Sequence, residues 1–136
     1  MGVNTVDSSV LIPASQRSHV DHGHAMAVFR RGDLRVGGHV LLETYSTLTG
    51  GRVKPRARPD LALEALLRLP GPPLTLSPEG YLSALRRCAE NGLVGGAIYD
   101  GLVAATAREA GARLLSRDRR AARAYEAMGA DFELIA

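Results

Sequence analysis

Four acidic residues, Asp7, Glu43, Asp100 and Asp118, sit where a carboxylate could do chemistry. Asp7 ends the short run Val3–Val6 with no base nearby. Asp100 lies in Ala97-Ile98-Tyr99-Asp100-Gly101-Leu102-Val103-Ala104-Ala105, which is apolar on nearly every side. At helical spacing its neighbours are Gly96, Ala97, Val103 and Ala104, and those of Glu43 are His39, Val40, Ser46 and Thr47. A helix apolar all round is expected to be buried. A buried carboxylate costs on the order of several kcal/mol unless it is neutralised, coordinated or paired from afar. Three such acids in one small chain point to a shared cation, because clustered carboxylates repel and a divalent ion removes the repulsion. Oxygen ligands suit a hard ion, Mg²⁺ or Mn²⁺, better than zinc. Asp118 has a plainer explanation as well: an acid at a helix start offsets the dipole by about 0.3–1 kcal/mol.

These acids work together only if the fold gathers them. The chain alternates short apolar runs with amphipathic stretches. Strands are expected at Val3–Val6, Leu34–Val36, Leu74–Leu76, Arg113–Ser116 and Phe132–Ile135. Helices are expected at His22–Arg31, His39–Leu48, Pro59–Leu69, from Ser77-Pro78 to Asn91-Gly92, at Ala97–Ala110 and at Asp118–Met128. Ser77 before Pro78 is a helix start, and Asn91-Gly92, Gly111 and Gly129 are stops. Strands separated by ten-to-fifteen-residue helices imply right-handed crossovers and a mostly parallel sheet. Ligands of such a sheet bind beyond the carboxyl ends of its strands. Asp7 and Asp118 follow strands, Asp100 is in the first turn of its helix and Glu43 in the second turn of another, so all four can converge on one edge.

The pieces that carry these acids resemble a known family. Val6-Asp7-Ser8-Ser9-Val10-Leu11, Leu42-Glu43-Thr44, Tyr99-Asp100-Gly101-Leu102-Val103-Ala104-Ala105-Thr106-Ala107 and Leu115-Ser116-Arg117-Asp118 occur in the order and spacing of the PIN-domain ribonucleases. Among those the chain is similar to the VapC-type toxins of bacterial toxin–antitoxin pairs, over essentially its whole length. The resemblance implies a three-layer α/β PIN-like domain, with a mostly parallel central sheet flanked by helices. It implies that Asp7, Glu43, Asp100 and Asp118 are catalytic and bind Mg²⁺ or Mn²⁺, with Ser9 and Ser116 supporting them. It further implies endonucleolytic cleavage of RNA to 5′-phosphate and 3′-hydroxyl ends, a cognate antitoxin and a homodimer.

The remaining motifs bear on substrate and on rival functions. Sixteen arginines and one lysine, Lys54, give a net charge of +3. Setting the four acids aside widens that excess. Arginine suits phosphate because its planar fork donates two parallel hydrogen bonds, although a GC-rich genome explains the ratio equally well. Arg119, Arg120 and Arg123 after Asp118, and Arg52 and Lys54 in the Gly50–Arg58 loop, are candidate RNA-phosphate contacts. The loop charges also read as a solvated linker.

His19-Val20-Asp21-His22-Gly23-His24 looks like a metal box, but its spacing is irregular and Gly23 interrupts it. It reads better as a loop and helix start from which His22 could reach substrate. Cys88 reads as a small core residue and, being the one cysteine, cannot form an internal disulfide. Ser8 and Ser9 lack the context of a nucleophile elbow. No phosphate-binding glycine loop is present. Without tryptophan and with 4% aromatics, a base-stacking platform is not expected.

At 136 residues, 46% hydrophobic and 23% charged, the chain reads as one globular domain, 1–136. It has no apolar run long enough for a membrane span and no signal peptide, so a cytoplasmic location is expected. Two other functions remain open. A phosphotransfer protein with a nucleophilic aspartate usually has a second acid two residues on, where this chain has Ser9. A non-catalytic domain could use an acidic pocket to hold a basic partner segment.

Overall fold

The computed structural model describes residues 2–51 and 54–135. Along the chain run β1 (Val3–Val6), α1 (Ser8–Ala14), α2 (His22–Phe29), β2 (Asp33–Leu34), α3 (Gly38–Thr49) and α4 (Pro59–Leu67). They are followed by α5 (Pro78–Glu90), α6 (Ala97–Glu109), β3 (Arg113–Ser116), α7 (Ala122–Ala127) and β4 (Phe132–Leu134). The strands form one sheet in the order β2-β1-β3-β4, with every pairing parallel. Helices cover the sheet, as the burial of its central strands requires: Val6, Leu114, Leu115 and Ser116 are all fully buried, on alternating sides of the strands. A parallel sheet buried on both faces gives the three-layer α/β architecture that the alternating pattern predicts.

The strand order places a topological switch at the β1–β3 boundary. The chain leaves β1 for β2 on one side and returns to β3 on the other. The crevice at such a point, outside the strand carboxyl ends, is where open α/β sheets bind ligands. Register sharpens this. Val6 pairs with Leu115, so the next residues on each strand, Asp7 and Ser116, emerge side by side at the same edge.

Packing holds the other contributors near that edge. α1 packs against β1, β3, α2 and α3; α6 packs against β3, α3, α5 and α7. α6 buries Gly101, Val103, Ala104, Thr106 and Ala107. Gly101 lets α5 come close, since a Cβ there would lie 2.9 Å from Cys88 Sγ. Cys88 itself is buried and touches Met128 through sulfur, as a core residue would.

The structure corrects four element assignments. α1 has no counterpart in the sequence pattern, which ends a strand at Asp7 and assigns nothing before His22; Pro13 disguises a seven-residue helix. Leu74–Leu76 is not a strand. Leu74 makes one parallel bridge to Gly37, flanked by Pro72-Pro73, which lack N–H donors, and by Ser77, which already caps α5. β2 is Asp33–Leu34 instead of Leu34–Val36, and only Arg35 continues the ladder, through its N–H to Asn4 O. The last helix starts at Ala122, not Asp118. Asp118 and Arg119 therefore lie in a turn, and the helix-dipole account of Asp118 falls away. Among the described residues no helix is long and apolar enough to cross a membrane.

Candidate active site

Asp7 is the centre of the site. It leaves β1 in an extended conformation and caps α1, its Oδ1 accepting from Ser9 N at 3.0 Å. The side chain is buried, with the residue 5% exposed. The isolation inferred from its sequence neighbours is wrong, because the donors come from elsewhere in the fold. Ser9 Oγ donates to Oδ1 in a very short contact. Ser116 Oγ donates to Oδ2 at 2.5 Å and Tyr125 OH to the same oxygen at 2.6 Å. Such charge-assisted hydrogen bonds stabilise a buried carboxylate.

The two serines also brace the chain beyond β3. Ser9 Oγ accepts from Arg117 N at 2.8 Å, and Ser116 Oγ from Asp118 N at 3.0 Å. Each hydroxyl accepts a hydrogen bond from the loop backbone and donates one to Asp7. The β3–α7 loop is thereby fixed relative to the end of β1. Within that loop Asp118 Oδ1 accepts from Arg120 N at 3.0 Å, and the Arg120 guanidinium stands 3.7 Å away, almost fully exposed. Arg117 reaches the other way, to Asp21 Oδ2 at 3.1 Å.

Asp7, Glu43, Asp100 and Asp118 line a single cavity of about 520 Å³ with Ser8, Ser9, Arg120 and Tyr125. The convergence expected from the sheet edge is realised from four separate places: the end of β1, α3, α6 and the loop after β3. Electrostatics reports the same gathering. Burial pushes the Asp100 carboxyl above its usual range, and the charges of Asp118, Glu43 and Asp7 push it further; only Arg120 opposes them. Four acids around one cavity, with an exposed arginine at its rim, leave the cavity anionic.

Burial differs from expectation for two of the acids. Asp100 is partly exposed and the Glu43 side chain is 41% exposed, because both face the open cavity. Glu43 is also less isolated than its neighbours suggested. His39 Nε2 lies 3.5 Å from Glu43 Oε2, and the imidazole stacks on Tyr99, with ring centroids 5.4 Å apart. The donor set is therefore carboxylate oxygen, which suits a hard divalent ion. Among the described residues no three His, Cys, Asp or Glu side chains stand together as a ready-made cage. The acids line the walls of a cavity instead of closing on a point.

Other candidate residues fall at varying distance from this centre. Arg119 and Arg120 are exposed in the turn and Arg123 is exposed on α7, so the three do not belong to one helix, although Asp118–Met128 is expected as one. Lys54 is exposed before α4, and Arg52 lies outside the described residues. The histidine box is local scaffolding: His19 Nδ1 accepts from Asp21 N, and His22 Nδ1 bonds Pro13 O. Tyr125 escaped notice because Ala121, Ala124, Tyr125 and Met128 form an ordinary buried helix stripe. Only the hydroxyl distinguishes it, and nothing in sequence spacing aims that hydroxyl at Asp7.

Comparison with known proteins agrees with this geometry. The PIN domain family matches residues 5–127. Ribonuclease VapC27 of Mycobacterium tuberculosis is 39% identical over 124 residues, covering 91% of this chain and 90% of the relative. Ribonuclease VapC40 of the same species is 37% identical over 132 residues, covering 95% and 96%. Among solved structures, VapBC2 from Rickettsia felis, bound to a DNA fragment from its promoter, superposes with a TM-score of 0.69 at 15% identity, covering 98% of this chain and 99% of that one. PAE2754 from Pyrobaculum aerophilum does so with a TM-score of 0.59 at 24% identity, covering 97% and 92%. These two show the shared fold. With a family match over nearly the whole chain and relatives well above 30% identity, the chain belongs to the PIN-domain family, in its VapC-type branch.

Proposed function

We propose that this chain, as a single PIN-like nuclease domain, is a divalent-metal-dependent endoribonuclease and the toxin of a toxin–antitoxin pair. One observation carries the reading: four carboxylates from four separate elements line one cavity at the switch point of a parallel sheet. The relatives' name, ribonuclease, supports the reaction class, and the neighbour solved as VapBC2 supports an antitoxin partner.

The residues fit Mg²⁺ or Mn²⁺ by donor chemistry and by charge, since a cation relieves the repulsion that Asp100 feels from the other three acids. Asp7 and Asp100 would be its chief ligands, with Asp118 and Glu43 completing the set. Such an ion lowers the pKa of bound water and stabilises the leaving oxygen of a phosphodiester. Glu43, on the more exposed side of the cavity, orients or deprotonates the attacking water. Ser9 and Ser116 hold Asp7 and the β3–α7 loop in place. Arg120 at the cavity rim, with Arg119, Arg123, Lys54 and Arg52, offers positive charge to the RNA backbone. The products carry 5′-phosphate and 3′-hydroxyl ends. A cognate antitoxin, a homodimer and a cytoplasmic setting belong to the same reading.

A nucleophilic role for Asp7 is disfavoured. Phosphotransfer through a nucleophilic aspartate usually uses a second acid two residues on, and that position is Ser9, whose hydroxyl donates to Asp7. The decisive experiment is cleavage of total RNA and tRNA by the purified, antitoxin-free protein in Mg²⁺ or Mn²⁺, against EDTA and against Asp100→Asn. Cleavage that needs both metal and Asp100 supports the nuclease. Intact RNA with folded, metal-loaded protein sinks it in favour of a binding pocket for a basic segment.

A further inference from the structure

Asp7 is gripped from three parts of the chain, and the sequence motifs account for only two. An ionised carboxylate offers about four lone-pair sites, and a cation would take one of them as a freely rotating serine hydroxyl turned its hydrogen away. Here Oδ1 takes Ser9 N and Ser9 Oγ, and Oδ2 takes Ser116 Oγ and Tyr125 OH. Ser9 stands next to Asp7 in α1, and Ser116 beside it across the β1–β3 register. Tyr125 is remote, a residue of α7 only 1% exposed. Its ring meets Phe132 of β4 edge-on, with centroids 5.6 Å apart at 71°. Packing against β4 thus sets where the hydroxyl points.

We propose that Tyr125 is a positioning residue for the metal site, its hydroxyl locking the orientation of the Asp7 carboxylate so that the site binds a divalent ion tightly. This rests on the reading of Asp7 as a cation ligand. Without the hydroxyl, Oδ2 keeps one donor, Ser116, and the carboxylate plane is held less firmly against turning about its Cβ–Cγ bond. Partners that orient metal-ligating side chains typically contribute ~10–100-fold in metal affinity.

The test compares wild type, Tyr125→Phe, Asp7→Asn and the double variant. Mn²⁺ binding is read directly by electron paramagnetic resonance of the free ion, and cleavage is measured across Mn²⁺ concentrations. Tyr125→Phe should weaken Mn²⁺ binding ~10–100-fold. It should raise the Mn²⁺ concentration for half-maximal cleavage in step, while KM for RNA at saturating Mn²⁺ stays put. In the Asp7→Asn background the same substitution should change Mn²⁺ binding less than about twofold, since its target is gone. Unchanged or tighter Mn²⁺ binding in Tyr125→Phe, or equal effects in both backgrounds, would overturn the proposal. A wild type that binds no Mn²⁺ would instead sink the metal reading beneath it.

Should Tyr125→Phe fail to melt cooperatively, the wild type supplies a second readout. The chain has four tyrosines and no tryptophan, so tyrosine emission is visible. Mg²⁺ should alter that emission in wild type and not in Asp7→Asn. Calorimetric Mg²⁺ binding with no change in emission would count against Tyr125.

Discussion

Ser116→Ala is the substitution for which the structure gives the most definite cost. Ser116 is fully buried. Its hydroxyl donates to Asp7 Oδ2 at 2.5 Å and accepts from Asp118 N at 3.0 Å. Alanine removes the oxygen and almost no volume, so cavity formation contributes little. What is lost is one hydrogen bond to a charged group, about 1.5–3 kcal/mol, and one neutral bond, about 0.5–1.5 kcal/mol. The two share an atom and do not simply add, so the expected loss is about 2–4 kcal/mol. For a chain of this size that lowers the melting temperature by roughly 8–16 °C. Urea denaturation at neutral pH measures the loss directly, provided the m-value is unchanged. Ser18→Ala, at an exposed position, is the control and should stay within about 0.5 kcal/mol. A Ser116→Ala loss under about 1 kcal/mol would refute the claim that this hydroxyl ties Asp7 to the β3–α7 loop.

Three further outcomes follow from the same geometry. Asp100→Asn should abolish cleavage yet raise the melting temperature of metal-free protein at pH 7. Burial and three neighbouring acids raise the folded-state pKa of Asp100, so its ionised form destabilises the fold. That penalty is full above the folded pKa and vanishes as pH falls below the unfolded value, so the gap between variant and wild type should close under acid; a gap independent of pH would contradict the cause given. Saturating Mg²⁺ should stabilise wild type by about 2.7 kcal/mol at a hundredfold excess over Kd, and Asp7→Asn hardly at all, as differential melting would show. In a cleavage-dead Asp100→Asn background, Arg120→Ala should lessen the slope of log affinity for single-stranded RNA against log salt by about 0.7, whereas an unaltered slope would remove Arg120 from the RNA path.

The sequence carried the site further than it carried the elements around it. Asp7, Glu43 and Asp100 could be picked out because they lie in stretches with no base at hand, Asp118 because it follows a strand, and strand-helix alternation supplies the edge on which they meet. For Asp7 a lack of nearby bases is not a lack of partners: its donors arrive from residue 116 and residue 125, over a hundred positions away. Periodicity reads only local neighbours, so it cannot see a hydrogen bond between β1 and α7. The same blindness hid α1, where the Asp7 side chain serves the helix and the site at once. It also misjudged burial: Asp100 and Glu43 sit on apolar helices, but their carboxylates open into the cavity. Leu74–Leu76 failed for another reason. Leu74-Thr75-Leu76 has strand composition, yet neighbouring prolines and a helix cap leave one residue free to pair.

The switch point explains why the site needs so much bracing. Four carboxylates gathered at one crevice repel one another, and the rise in the Asp100 pKa records that repulsion. A fold that only brought them near would relax by turning the side chains apart. Here the acid at the centre cannot turn, because its two oxygens are held by α1, β3 and α7 together. The loop that carries Asp118 cannot swing away, because Arg117 N and Asp118 N are bound by the same two serines. Asp100 and Glu43, on long helices packed against α1 and β3, are restrained by their backbones and keep freer side chains. The arrangement is rigid at Asp7, where a cation's chief ligand must be preorganised, and looser at the rim, where RNA and water must enter. Strain held in this way is stability given up for function, and it predicts that losing the Asp100 charge should stabilise the metal-free fold while losing the Ser116 hydroxyl should weaken it.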